Sequence, residues 1–227
     1  MNLPKTLLIV ALGAVGAVLG YRLARHVKMA RYAVHGIDVS HYQREVDWHR
    51  VETRYAFVFL KATEGVALED RYFRRHWQKL GQLRVKRGAY HFFRPAADAA
   101  QQADHFIRLV RLRSGDLPPV LDVEVTGNAS SQEIAQGVRG WLRRVERHYK
   151  VRPIVYTNAS FYRQHLQGAV AGYPVWIAQY GWQTPQTEPA WHFWQYADDG
   201  RVDGIAGAVD LNVFSGSLAE LERLCLP

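Results

Sequence analysis

From Val34 onward the chain alternates short apolar runs with longer amphipathic stretches, the rhythm of β–α units building a parallel sheet. About eight such runs stand out, at 34–39, 56–62, 87–93, 119–124, 153–157, 174–179, 191–196 and 208–213. Several are continuously hydrophobic, as strands covered on both faces are. Between them the spacing predicts helices over 70–83, 97–113 and 131–149. The last opens on Ser130 with Glu133 three residues later, a capping box, and closes on Arg147 and Lys150, which suit the negative end of the helix dipole. By contrast, 181–189 is a Trp, Gln and Pro loop too short for a helix. The expected fold class is therefore α/β: a single barrel or near-barrel of about eight strands with fewer helices than strands.

The first 33 residues read differently. Lys5 precedes an uncharged apolar run over 6–21, followed by Arg22, Arg25, Lys28 and Arg31. This is the pattern of an export signal or membrane anchor with a basic flank, and Gly13, Gly16 and Gly20 make it a poor water-soluble helix. The expected division is 1–33 as leader or anchor and 34–227 as the catalytic domain, exported to the periplasm or the exterior. The leader also explains the charge: the formal net charge is +8, and these five basic residues leave only +3 for the rest, interspersed with acids. Nucleic acid is thus not an expected partner. Cys225 is the only cysteine, so no intramolecular disulfide forms, and the ten histidines show no metal-ligand spacing. No metal and no cofactor are expected.

In parallel α/β folds the reactive groups gather at the carboxyl ends of strands. Three runs place an acid there after apolar residues: Asp38, the pair Asp122 and Glu124, and Asp210. A buried carboxylate is costly without a partner or a function. Two residues apart on a strand, Asp122 and Glu124 point to one face with Cα atoms roughly 6.5–7 Å apart. Glycoside cleavage needs a proton donor for the leaving oxygen and a negative charge near the oxocarbenium-like centre. An ionised Asp122 would raise the pKa of Glu124 and keep it protonated. Alone, an Asp-x-Glu could equally cap a helix or pair with arginine. What strengthens the reading is the run of aromatics at or just beyond the strand runs: Tyr90, Phe92, Tyr156, Trp176, Tyr180, Trp194 and Tyr196. Any one of them could be core packing, but together they offer flat apolar faces with polar tips, suited to sugar rings.

The phrases GIDVSHYQREVDW (36–48), FVFLKATEG (57–65), GAYHFFRP (88–95), PPVLDVE (118–124), PIVYTN (153–158), VWIAQYG (175–181) and WQYADDGRVDGIAGAVDLNVFSG (194–216) occur in an order that resembles glycoside hydrolase family 25, the Chalaropsis-type lysozymes. The resemblance implies a modified TIM-like β/α barrel and an N-acetylmuramidase whose partner is the glycan of peptidoglycan. It implies Glu124 as general acid/base, Asp122 as stabiliser of a charged intermediate or nucleophile, and Asp38 and Asp210 as further active-site acids. It also suggests retention of configuration through attack by the substrate's own N-acetyl group. Expected substrate contacts are Tyr90, Phe92, Tyr156, Trp176, Tyr196, Glu64 and Gln195. The chain carries no cell-wall-binding repeats of the kind many relatives have, so residues 6–21 could instead hold it near a membrane. No obligate protein partner is expected. A chitin-type hexosaminidase and a catalytically silent glycan-binding protein are the competing readings.

Overall fold

Inside–outside alternation along successive strands gives the chain two separate cores. In β2 (Phe57–Glu64), Phe57 and Phe59 point inward while Val58 and Leu60 face the surrounding helices. The same division separates Ile154 and Tyr156 from Val155 in β6 (Ile154–Asn158), and Trp176 and Ala178 from Val175 and Ile177 in β7 (Val175–Ala178). The computed structural model describes residues 16, 20, 21, 23–187 and 190–227.

These strands close into a barrel with β1 (Val34–Val39), β4 (Lys86–Phe92), β5 (Val120–Asp122), β8 (Phe193–Gly200) and β9 (Val209–Phe214). The order is β1-β9-β8-β7-β6-β5-β4-β2, and pairing of β1 with β2 completes the ring. The two-residue β3 (Leu68–Glu69) is only a hairpin arm on β2. All but one of the barrel strands run parallel. The exception corrects the expectation of a purely parallel sheet: β9 runs antiparallel to both neighbours, β1 and β8. Asp210 therefore reaches the same mouth as the other acids from the beginning of its strand, not the end.

Helices are fewer than strands, as expected. Short α1 (Trp48–Glu52) precedes β2, and α2 (Phe73–Leu80), α3 (Ala99–Leu109) and α4 (Ser131–Tyr149) follow β3, β4 and β5. After β6, α5 (Ala159–Phe161) runs into a π-helical turn at Tyr162–Leu166. Among the described residues no helix joins β7 to β8 or β8 to β9. The capping box of α4 forms as its sequence indicates, with Ser130 accepting from Glu133 N. α2 begins later than its periodicity suggests, because the Asp70 carboxylate is taken by the backbone and ring of His41 and by Tyr72 N.

The barrel interior is filled by aromatic rings. Phe59 stacks on Trp176 at 4.7 Å between centroids, and Phe193 sits edge-on to both Phe57 and Phe59. Glycine makes this possible at two places: a Cβ on Gly36 would lie 2.3 Å from the Phe57 ring, and one on Gly88 2.5 Å from that of Phe59. Each such ring, fully withdrawn from water, contributes on the order of 1.5–3 kcal/mol. The lower end is closed by α6 (Leu218–Leu224), whose Leu221 joins the interior cluster with Leu224 and Cys225 against it.

The described part of the N-terminal stretch packs on the outside of β8 and β9. Residues 23–29 are helical, Met29 is buried against Trp194, Tyr196, Ala197 and Val213, and Arg25 pairs with Asp199 at 2.7 Å. Most of the apolar run at 6–21 lies outside the described residues. Among the described residues no helix is long and apolar enough to cross a membrane.

Candidate active site

At the upper end of the barrel the inward-facing positions change from aromatic to acidic. A cavity of about 170 Å³ is lined by Asp38, Tyr90, Asp122, Glu124, Tyr156, Trp176, Tyr180, Gln195 and Asp210. That is small beside the ~300–1,000 Å³ of drug-sized pockets, room for about one six-membered ring.

Asp122 is the last residue of β5, with Phe92 and Tyr156 beside it in register on β4 and β6. Glu124 lies two residues on, just past the strand, and the extended backbone still turns it to the same face. The two carboxyls touch, close enough to share a proton. Burial raises both, and raises Asp122 most; the contact then lifts Asp122 further while lowering Glu124. Asp122 lies deeper, 5% exposed beside a half-buried Glu124, so burial acts on it more strongly. Asp122 Oδ1 has no hydrogen-bonding partner among the described residues, although it is fully buried.

The second acid pair is held by amides. Asp38 Oδ2 accepts from Gln195 Nε2 at 2.9 Å and Asn212 Nδ2 at 2.7 Å. Asn212 Oδ1 in turn accepts from Trp176 Nε1 at 2.9 Å. Gln195 Oε1 accepts from the hydroxyls of Tyr156, at 2.9 Å, and Tyr180, at 3.2 Å. Burial, and then Asp38, push the Asp210 carboxyl up to about 9. Burial together with these carboxylates also keeps the hydroxyls of Tyr90 and Tyr156 protonated. Among the described residues no group of three or more His, Cys, Asp or Glu is arranged to hold a metal ion.

Of the residues singled out in the sequence, Glu124, Asp122, Asp38, Asp210, Tyr90, Tyr156, Trp176 and Gln195 converge here. Tyr180 joins them, and four do not line the cavity: Trp194, Tyr196, Glu64 and Phe92. Tyr196 follows Gln195 and so points outward, into the cluster around Met29 and Trp194. Glu64 lies at the rim, where burial works to raise it but Lys61, at 2.7 Å, and Arg94 hold it below its usual range. Phe92 lies under the same two cations, 5.0 Å from Lys61 Nζ and 4.7 Å from Arg94 Cζ. Lys61 was missed in the sequence, yet its charge lowers both Asp122 and Glu124. Asn212 was missed too, although it is two residues from Asp210 on one strand and alternation alone would have placed it inside.

The family model of Glycosyl hydrolases family 25 matches residues 37–205, which include Asp38, Asp122 and Glu124. The chain belongs to this family. It is a glycoside hydrolase, and its relatives cover most of it. Lysozyme M1 of Streptomyces globisporus is 37% identical over 208 residues, 84% of this chain and 71% of that protein. The uncharacterized protein YegX of Escherichia coli (strain K12) is 44% identical over 213 residues, 89% of this chain and 78% of YegX. In three dimensions the family 25 barrel resembles the bacterial lysozyme of Streptomyces coelicolor, with a TM-score of 0.81 and 34% identity over 85% of this chain and 97% of that one.

Proposed function

We propose that the family 25 barrel is a lysozyme of the N-acetylmuramidase type, hydrolysing the β-1,4 bond between N-acetylmuramic acid and N-acetylglucosamine in peptidoglycan. The observation that carries the reading is the contact between Asp122 and Glu124 at the floor of a sugar-sized cavity. Relatives named Lysozyme M1 and N,O-diacetylmuramidase support the substrate.

Glu124, at the more open position, protonates the leaving oxygen and later takes a proton from the incoming water. Asp122 stays anionic once that proton has passed to Glu124. Inversion needs a water between the two carboxyls and separations of ~6.5–9.5 Å, more than two acids that hydrogen-bond each other leave. The arrangement supports attack by the substrate's own N-acetyl carbonyl, with the Asp122 carboxylate steadying the positive charge that develops on the amide. Asp38 and Asp210 shape the opposite wall. Because the substrate lies outside the cytoplasm, we infer that the enzyme is exported, with residues 6–21 as its signal or anchor.

Incubating the purified chain with peptidoglycan and identifying the new reducing ends tests this. Reducing-end muramic acid that disappears with Glu124→Gln is the expected result. Reducing-end glucosamine would indicate a hexosaminidase, and sugar binding without turnover a silent binder.

A further inference from the structure

We propose that a cationic groove beside the acid cavity binds the acidic peptide stems of peptidoglycan and makes the enzyme prefer stem-bearing glycan; this rests on the muramidase reading above. The groove, about 530 Å³, is lined by His41, Tyr42, Arg44, Leu68, Asp70 and Arg71 among others. It lies between the turn after β1 and the β2–β3 hairpin, at the same end of the barrel as the acids. His41 is three residues beyond Asp38, and Asp70 is near enough to Tyr90, a wall of the acid cavity, to act on its hydroxyl electrostatically.

The charge balance of the groove is positive. Asp70 is buried and committed to the backbone N–H of His41 at 2.8 Å and its ring at 3.0 Å. Glu69 is taken by Arg74 at 3.0 Å, and Arg75 pairs with Glu45. Arg44 and Arg71 line the groove with no carboxylate partner among the described residues, whereas Arg50, Arg87, Arg94 and Arg144 each have one. Arg44 is also held in an unusual backbone state, φ 53° and ψ −119°, and its carbonyl is fixed by His76 Nε2 at 2.8 Å. A strained non-glycine residue at a cleft is where structure tends to be spent on function. Beside it Tyr42 is 78% exposed, its ring 4.2 Å from that of His41.

A muramic acid in the cavity carries its peptide on the lactyl oxygen, so the stem must leave along the rim. Free carboxylates on that stem match two unpaired guanidiniums, which hold carboxylates in charge-assisted, often bidentate, bonds. Glycan stripped of its stems offers nothing for these arginines to hold.

The experiment compares kcat/KM on peptidoglycan with kcat/KM on the same glycan after amidase removal of the stems. Wild type is expected to favour the stem-bearing substrate by about tenfold or more, with the ratio shrinking as salt rises. The double variant Arg44→Gln, Arg71→Gln is expected to bring the ratio close to one with an unchanged melting temperature, and the double lysine variant to keep much of it. A wild-type ratio near one, or a ratio untouched in the glutamine variant, overturns the stem groove while leaving the muramidase standing. Failure of wild type to cut either glycan instead sinks both.

Discussion

Asp38 and Asp210 are direct partners in the antiparallel register of β1 and β9, their carboxyls in contact at the wall of the cavity. Burial first, and then the Asp38 charge beside it, push the Asp210 carboxyl up to about 9 from 3.8, so the pair holds a proton. The folded state thus holds a proton that the unfolded chain releases, so stability from this site is full below about pH 4 and is lost as pH rises towards 9. Asp210→Asn keeps a donor for Asp38 and removes the titration. Thermal melts between pH 5 and 9 should show the variant gaining on wild type as pH rises, by a few degrees at the alkaline end. Parallel curves would mean that Asp210 is ionised throughout.

Activity should have an alkaline limb set by the Asp122–Glu124 pair. Burial raises both acids, so the catalytic proton is present below the raised pKa of the pair and lost above it. A profile of kcat/KM against pH is expected to fall well above the ordinary carboxylate range of about 4.5. A fall within that range would show the pair to be solvated.

Asp122→Asn is expected to lower kcat by roughly 10² or more with little change in KM, because the lost charge matters only as positive charge develops. Glu124→Gln should lose more, in the upper part of the ~10²–10⁴ range for a general acid. Steady-state kinetics on one soluble muropeptide substrate checks both. An unchanged kcat for Asp122→Asn would remove it from the mechanism.

Asn212 links Asp38 to Trp176 with no exposure to water. Asn212→Leu strips one donor from Asp38 and leaves the indole N–H unpaired, at a cost of about 1–3 kcal/mol for each buried group left unsatisfied. Urea denaturation at pH 7 should read that loss. The same experiment on Asp116→Ala should read about 3–5 kcal/mol, since Arg87 is 6% exposed and bonded at 2.8 and 3.1 Å to both Asp116 oxygens.

The strands were legible because alternation and apolar runs are strong local signals, and every barrel strand overlaps a run visible in the sequence. What was not legible depended on neighbours. The reversal of β9 is set by the short β8–β9 connection, which leaves no room for a crossover helix. Tyr196 was expected at the sugar because it is aromatic and near a strand end; parity with Gln195 places it outside, where Met29 covers it. The four acids were readable from their strand positions, but not how strongly burial raises each of them, since depth below the rim is a property of the closed barrel. Lys61 and Asn212 belong to phrases that were noticed, yet their roles arise from side chains contributed by other strands.

Trp176 stacked on Phe59, with Phe193 and Phe57 beneath and α6 sealing the far end, makes the chamber a cul-de-sac. Sugar, attacking water and departing product must all share a single doorway. On the substrate-assisted route proposed above, the hydrolytic water therefore enters by the same mouth that the departing half of the glycan vacates.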